Sequence, residues 1–406
     1  MKVSDSLFLL IKSLSKQEKR YFKLFASRHK SNTTNYLHLF DVINKQKEYN
    51  ETAVRTSLQY EKFIKNLRVH KQYLYEIILR SLDIFHANNT INAKLKKLIR
   101  YAEILYAKGL NKESSKILAK AKKIARDHDR LPQLIQILRV EKEVVQKLVD
   151  IKSSEKIISA LHIDENQTLA HLKNENELWN FSFRMFIFYN RKGLIRTDRE
   201  KKWFDKIIKN PLFKKGTHTL SYKAKFNFYY SHWLYCNMSD DFKSSSVYIE
   251  KLICLIESRS DKIKENPSDY IAMLTNFIDD LRVTKKYRKC LAVINKLKTI
   301  STGSESVQAR IFINSFIQET LLYSATGEFE KGIPQIKIAE SALDKYKDKI
   351  NKPAELNIYY NISIIYFGTG TYNKALPWLN KILNDSDSAN MAYDVYCFAR
   401  IMNLIT

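Results

Sequence analysis

Seven positions along the chain share one register. Ser114, Ser154, Glu200, Ser245, Cys290, Gly332 and Ala375 are separated by 40, 46, 45, 45, 42 and 43 residues. The pattern around them is plainest in 356–383, "LNIYYNISIIYFGTGTYNKALPWLNKIL", where Tyr366, Gly370 and Tyr372 precede the small Ala375, and apolar Leu379 and Ile382 follow it. Stepping back 43 residues gives Tyr323, Gly327, Phe329, Gly332, Ile336 and Ala339 in the same order. The next copies give Leu281, Tyr287, Cys290, Ile294 and Leu297, then Phe242, Ser245, Ile249 and Leu252. Further upstream the pattern thins to Phe204 and Ile207, to Ser154, Ile158 and Leu161, and to Gly109, Ser114, Leu118 and Ala121; Glu200 takes the place of the small residue. A fixed period of this length is the mark of a repeat architecture.

Each unit reads as a helix, a tight turn and a second helix. Two helices joined so closely must approach near the turn, so the position there is small and an aromatic three residues earlier fills the space beside it. One hairpin cannot bury its apolar face alone, and stacked neighbours complete the core. Composition agrees. Eight Gly and six Pro in 406 residues leave little for sheet hairpins or phosphate-cradling loops, while 24 Tyr and 21 Phe rule out a disordered chain. The chain exceeds the length at which one core stops growing, which also suits an array.

Proline keeps the register. Pro132, Pro267 and Pro353 fall 22, 23 and 22 residues before Ser154, Cys290 and Ala375, where the first turn of a helix tolerates a missing N–H. Asn266 is the expected N-cap before Pro267. Pro334 and Pro377, each two residues after the small position, predict a bend early in both second helices. From Leu356 to Asn373 no residue is charged, the lower edge of a membrane-span signal, but Gly368-Thr369-Gly370 interrupts it and Asn357, Asn361 and Ser363 suit lipid poorly. The N-terminal apolar run, Leu7–Ile11, is too short for a signal peptide, and Cys236, Cys254, Cys290 and Cys397 show no CxxC spacing. The expectation is a cytoplasmic protein with buried free thiols.

Residues 1–90 do not follow the period. Ser15 and Glu18 form a capping box ahead of a helix with Tyr21, Phe22 and Phe25, and further helices are expected in 35–43, 51–59 and 61–85. This segment is read as an irregular helical cap on the array, or as a small helix-turn-helix-like module.

With Tyr359, Ile362, Ser363, Tyr366, Gly370, Tyr372 and Ala375 at its signature positions, the stretch 358–383 resembles a tetratricopeptide (TPR) repeat. The resemblance covers roughly 91–406, with units longer than the family norm. It implies an all-α fold: a right-handed α-solenoid of about seven helix pairs over 91–406. It also implies that first-helix side chains line a groove for a partner: Tyr230, Leu234 and Asn237; Asp279 and Arg282; Leu321 and Ser324; Tyr360, Asn361, Ile364 and Phe367. TPR proteins that bind chaperone tails hold a peptide carboxylate with Lys and Asn, and here Tyr360 and Ile364 occupy those places. A Tyr-rich apolar groove suits a helix or an extended peptide.

The formal net charge is +26, with 28 Lys/Arg against 12 Asp/Glu in 1–130. Lys94, Lys96, Lys97, Arg100, Lys112, Lys116, Lys120, Lys122 and Lys123 concentrate it, which keeps open a second reading in which this patch contacts nucleic-acid phosphates. Lys outnumbers Arg by 51 to 18, so much of the charge suits plain solvation. No acid, base or metal constellation converges: Asp127-His128-Asp129-Arg130 reads as an inter-helix turn, and the aromatic run 179–189 as packed core. A non-enzymatic interaction scaffold with no cofactor is the expectation, with a protein partner in the groove.

Overall fold

The computed structural model describes residues 3–27, 33–86, 90–148, 151–214, 220–385 and 393–405. Every regular element among the described residues is helical. The chain divides into two compact units, 1–169 and 170–406.

In the first unit, α1 (Val3–Ser13), α2 (Lys16–Ser27), α3 (Thr33–Lys45), α4 (Glu51–Ser57) and α5 (Leu67–His86) enclose a core of their own around Leu7, Ile11, Phe22, Phe40, Leu74 and Ile78. The capping box forms: the Ser15 N–H donates to Glu18 Oε2 at 2.7 Å, and the Glu18 N–H to Ser15 Oγ at 3.2 Å. The expected helix over 61–85 begins instead as a 3₁₀ turn, Lys62–Asn66. A second cluster, around Leu95, Ile99, Leu118, Ala121, Ile137 and Leu138, joins α6 (Ile91–Ala107), α7 (Asn111–Asp127) and α8 (Leu131–Leu148). Asp127 to Arg130 make the α7–α8 turn, with Asp129 at φ 54°.

α9 (Ile151–Lys192) departs from the repeat reading. The period calls for a break between the second helix of one unit and the first of the next, yet one helix of 42 residues runs through. No Gly or Pro lies in 151–192 to stop it. Leu161 is buried as expected, Ile158 is exposed, and the Ser154 side chain lies outside the described residues.

The second unit continues with α10 (Asp198–Ile208), α11 (Pro211–Lys214), α12 (Tyr222–Met238), α13 (Phe242–Glu257), α14 (Ser260–Glu265), α15 (Pro267–Val283), α16 (Tyr287–Lys298), α17 (Glu305–Thr326), α18 (Ile333–Lys345), α19 (Lys352–Gly368), α20 (Tyr372–Leu383) and α21 (Tyr393–Ile405). Helices adjacent in this series pack on one another: α12 on α13, α15 on α16, α19 on α20. First helices also meet across units, α15 with α17 and α17 with α19. Glu200, out of pattern in the sequence, is the N3 residue of a capping box with Thr197 and pairs with Lys192 at 2.7 Å. That ion pair and the backbone N–H groups of Arg196 and Thr197 pull its carboxyl down to about 2.

One turn geometry joins the helix pairs. Five residues before the small position the backbone is left-handed at Gly109 (φ 75°), Asp240 (61°), Lys285 (58°), Gly327 (73°) and Gly370 (70°). In each case the next N–H reaches back to the carbonyl five residues earlier: Leu110 to Leu105, Asp241 to Cys236, Lys286 to Leu281, Glu328 to Tyr323 and Thr371 to Tyr366, all at 2.8–2.9 Å. This is the Schellman arrangement, which satisfies the last carbonyls of the first helix and reverses the chain. Ser114, Ser245, Cys290, Gly332 and Ala375 then sit buried against the first helix. Ser114 Oγ donates to the Ala102 carbonyl at 2.8 Å, and Cys290 Sγ lies 3.8 Å from that of Ile278.

Pro267 and Pro353 occupy first turns, and Pro132 is the second residue of α8. Asn266 stands at the N-cap position but its side chain makes no capping bond; Asn351 Oδ1 accepts from the Ala354 N–H at 3.0 Å. The expected bend at Pro334 is not needed. Phe329–Gly332 is a 3₁₀ turn and α18 starts at Ile333, so Pro334 falls in a first turn, while Pro377 lies inside α20. No described helix is long and apolar enough to cross a membrane, and the uncharged stretch from Leu356 is divided where α19 ends. The four cysteines are free, but only Cys236 and Cys290 are buried, and Cys254 is exposed.

Candidate interaction surfaces

Three of the groove positions belong to the core. Leu234 is 0%, Asn361 4% and Asn237 5% exposed. Asn237 Nδ2 donates to the Trp233 carbonyl and to Ser245 Oγ, and Asn361 Nδ2 to the Asn357 carbonyl. Asn237 thus ties α12 to α13, Asn361 bonds within α19 with its Oδ1 buried without a partner, and Leu234 belongs to the apolar core. Tyr230 is half-buried and stacked on Trp233 at 5.4 Å. Its burial pushes the phenol far above its ordinary range.

The other positions reach the surface. Arg282 Nη2 and Gln318 Nε2 both donate to Asp279 Oδ1, at 2.9 and 3.2 Å, which ties α15 to α17. Arg282 Nε and Gln318 Oε1 are buried without partners. Leu321, Tyr360, Ile364 and Phe367 are half-buried and Ser324 is exposed. Tyr360 meets Phe398 of α21 at 6.4 Å, and Phe367 meets Tyr372 at 5.3 Å.

Beside this row lies a feature the sequence did not disclose. Asp280, 2% exposed, accepts from Trp233 Nε1 at 3.0 Å and from Ser245 Oγ. It knots α12, α13 and α15 together. Burial outweighs these bonds and pushes its carboxyl up to about 6. The small residue of one unit thus has a second role, as the donor to a buried acid from the next.

A pocket of about 380 Å³ opens between α16, α17 and α18. Its walls are Ile300, Ile311, Phe312, Phe316 and Ile338, with Gln308 and Gln335 among its polar groups. Lys298 Nζ donates to Glu319 Oε1 at 2.5 Å beside it, and Glu319 is 4% exposed. This pocket uses the Gln308, Phe312, Ser315 and Glu319 stripe of α17, not the predicted Leu321 and Ser324.

The basic residues divide. Lys122 is half-buried, with Glu141 at 2.8 Å and Asp164 at 3.1 Å, so it belongs to a structural network with Arg126 and is not open to a phosphate. Arg100 pairs with Glu103 at 3.3 Å, Lys116 with Glu113 at 3.7 Å, and Lys97 lies over the Tyr101 ring. Lys94, Lys96, Lys112, Lys120 and Lys123 are exposed, with no ion pair among the described residues. On α7, Lys112, Lys116, Lys120 and Lys123 share one face.

The run 179–189 is not wholly core. Leu178, Ser182 and Met185 are buried, and Phe181, Phe188 and Tyr189 pack on the same cluster. Trp179, Phe183, Phe186 and Ile187 are 53%, 45%, 40% and 37% exposed. The sequence reading gave both faces of the helix to packing, whereas only one is covered.

We found no family model, curated protein or solved structure that matches this chain.

Proposed function

We propose that the helix pairs stack as a right-handed, TPR-like solenoid that serves as a scaffold for a protein partner, with no chemistry of its own. The solenoid part of this reading draws support from the recurring left-handed turns at Gly109, Asp240, Lys285, Gly327 and Gly370, since one turn geometry repeated at one register generates one stacking rule. The binding part rests on the pocket between α16, α17 and α18. Its volume of about 380 Å³ and its wall of Ile and Phe match one anchoring aliphatic or aromatic side chain, and the Lys298–Glu319 pair and two glutamines supply the polar groups that orient a ligand. Tyr360, Ile364 and Phe367, half-buried on one face of α19, are a separate apolar row in the same reading.

Site-specific photocrosslinking tests it. A photoreactive residue at Ile338, compared with one at the exposed Tyr60, should capture a discrete partner in extract of the source cell, and Ser315→Trp, which fills the pocket, should abolish capture. Identical crosslinks from both positions would overturn the reading.

The Lys112, Lys116, Lys120 and Lys123 face of α7 favours a second reading, contact with nucleic-acid phosphates. Binding of duplex DNA through it should weaken with salt at a log–log slope of about −0.9 per phosphate contacted. Charge reversal of the four lysines should flatten the slope; absence of binding at low salt dismisses this alternative.

A further inference from the structure

One large aromatic surface that the core leaves uncovered has a definite chemistry. Trp179, Phe183, Phe186 and Ile187 fall within two turns of α9, at spacings that bring them onto one face. Their exposure is not slack in the helix. The opposite face is locked: Ser182 Oγ donates to Asn227 Oδ1 at 2.9 Å, Phe188 meets Phe204 edge-on at 4.8 Å, and Tyr189 lies 6.2 Å from Trp233. Rotating α9 to hide the ridge would break all three contacts.

The rings also lie against each other. Trp179 and Phe183 stack at 5.2 Å with 9° between their planes, and Phe183 and Phe186 at 6.2 Å with 28°. A ridge stacked on itself leaves no slot between rings for a base, which argues against a single-strand platform. It also loses little side-chain freedom when a partner covers it.

The ridge is charged along one edge. Lys173, Asn180, Arg184 and Arg191 flank it on the same side, about a quarter-turn round the helix from Phe183. Arg184 Nε donates to Asn180 Oδ1, and no ion pair satisfies Lys173, Arg184 or Arg191 among the described residues. The nearby carboxylates leave this edge basic: Glu175 lies on the other flank, where it accepts from Ser221 Oγ at 2.6 Å, and Glu177, half-buried one turn after Lys173, makes no ion pair among the described residues, so three cations flank one carboxylate.

We infer that this face of α9 is a docking site for an amphipathic helix from another protein, with apolar residues at i, i+3/i+4 and i+7 and an acidic edge. A second copy of this chain is a poor occupant, since its formal net charge is +26. The inference stands on α9 alone, deepens the scaffold reading by naming the partner's chemistry, and does not depend on the α16–α18 pocket.

The test uses the full chain and three fluorescent synthetic peptides: an acidic amphipathic helix with Leu/Phe on one face and Glu along its edges, the same peptide with Lys for Glu, and a scramble of the acidic one. Anisotropy titration should find the acidic helix bound about tenfold or more tightly than either control. Trp179→Ala with Phe183→Ala, both on exposed positions and checked by circular dichroism, should lose at least that factor. Arg184→Glu with Arg191→Glu should reverse the preference toward the Lys peptide, whereas Tyr60→Ala, at an exposed position, should leave it unchanged. Equal binding of the acidic and Lys peptides, no binding of the acidic one, or indifference to the Trp179/Phe183 pair overturns the inference. So does competition by oligo-dT that depends on Trp179. Failure of the Ile338 crosslink alone would count against the pocket and not against α9.

Discussion

Asp280 makes a sharp quantitative prediction. Its carboxyl is 2% exposed and pushed up from 3.8 to about 6, with burial the largest cause and the bonds from Ser245 and Trp233 opposing it. The native state therefore holds a proton that the unfolded chain releases between pH 3.8 and 6, so stability attributable to this residue falls as pH rises through that window. With these two values the ionised group costs about 1 kcal/mol at pH 4.5 and about 3 kcal/mol at pH 7.5, a difference of about 2 kcal/mol. Asp280→Asn removes the charge while keeping an oxygen for Trp233 Nε1 and Ser245 Oγ. The assay is urea unfolding followed by tryptophan fluorescence, which reports on the second unit alone because Trp179, Trp203, Trp233 and Trp378 all lie in it. The stability of Asp280→Asn relative to the parent should grow by about 2 kcal/mol from pH 4.5 to pH 7.5. Taking the difference matters, because paired carboxylates elsewhere, such as Glu355 beside Lys352, are held low and slope the other way. A difference that stays flat across the window would refute the claim that Asp280 titrates there.

His232 should show the opposite sign. Burial, with Lys251 nearby, pulls it down to about 4, so His232→Phe, stacked on Tyr248, should gain about 2 kcal/mol at pH 5 relative to pH 8 in the same assay. Lys285 holds a left-handed conformation at φ 58° where three of the four equivalent turns use Gly, so Lys285→Gly should raise unfolding stability by up to about 1 kcal/mol. Gly368→Ala should do the reverse: an added Cβ would lie 2.3 Å from the Phe329 ring, and displacing that ring should cost about 1–3 kcal/mol, read as a lowered urea midpoint.

Much of the fold is legible along the chain because its cause is local. The turn between α19 and α20 is announced by Gly370, and the close approach behind it by Ala375; both act within one hairpin. Where the turn residue is Asp240 or Lys285, the period still places it, although neither side chain advertises a left-handed backbone. The continuous α9 was missed for a related reason. The period asks for a break, but 151–192 has no Gly or Pro to make one, so the helix runs on.

The surfaces were harder to read. Asn237 and Ser324 occupy comparable first-helix positions, yet one is spent on Ser245 in the core and the other is exposed. Lys122 and Lys120 are two residues apart, and only the first finds Glu141 and Asp164 from other helices. Phe183 and Phe188 are alike as letters; Phe204 on α10 covers the second, while the first meets only Trp179 and Phe186 of its own helix among the described ring contacts and stays 45% exposed.

Sequence alone determined the helical class and placed five of the seven turns with the small residues buried behind them, because hydrogen bonds within a helix and its reversal span only a few residues. Only tertiary structure decided which polar groups are consumed, which aromatics stay open and why Asp280 keeps its proton to about pH 6. Burial and desolvation are sums over neighbours from distant parts of the chain, and no single stretch of sequence contains them.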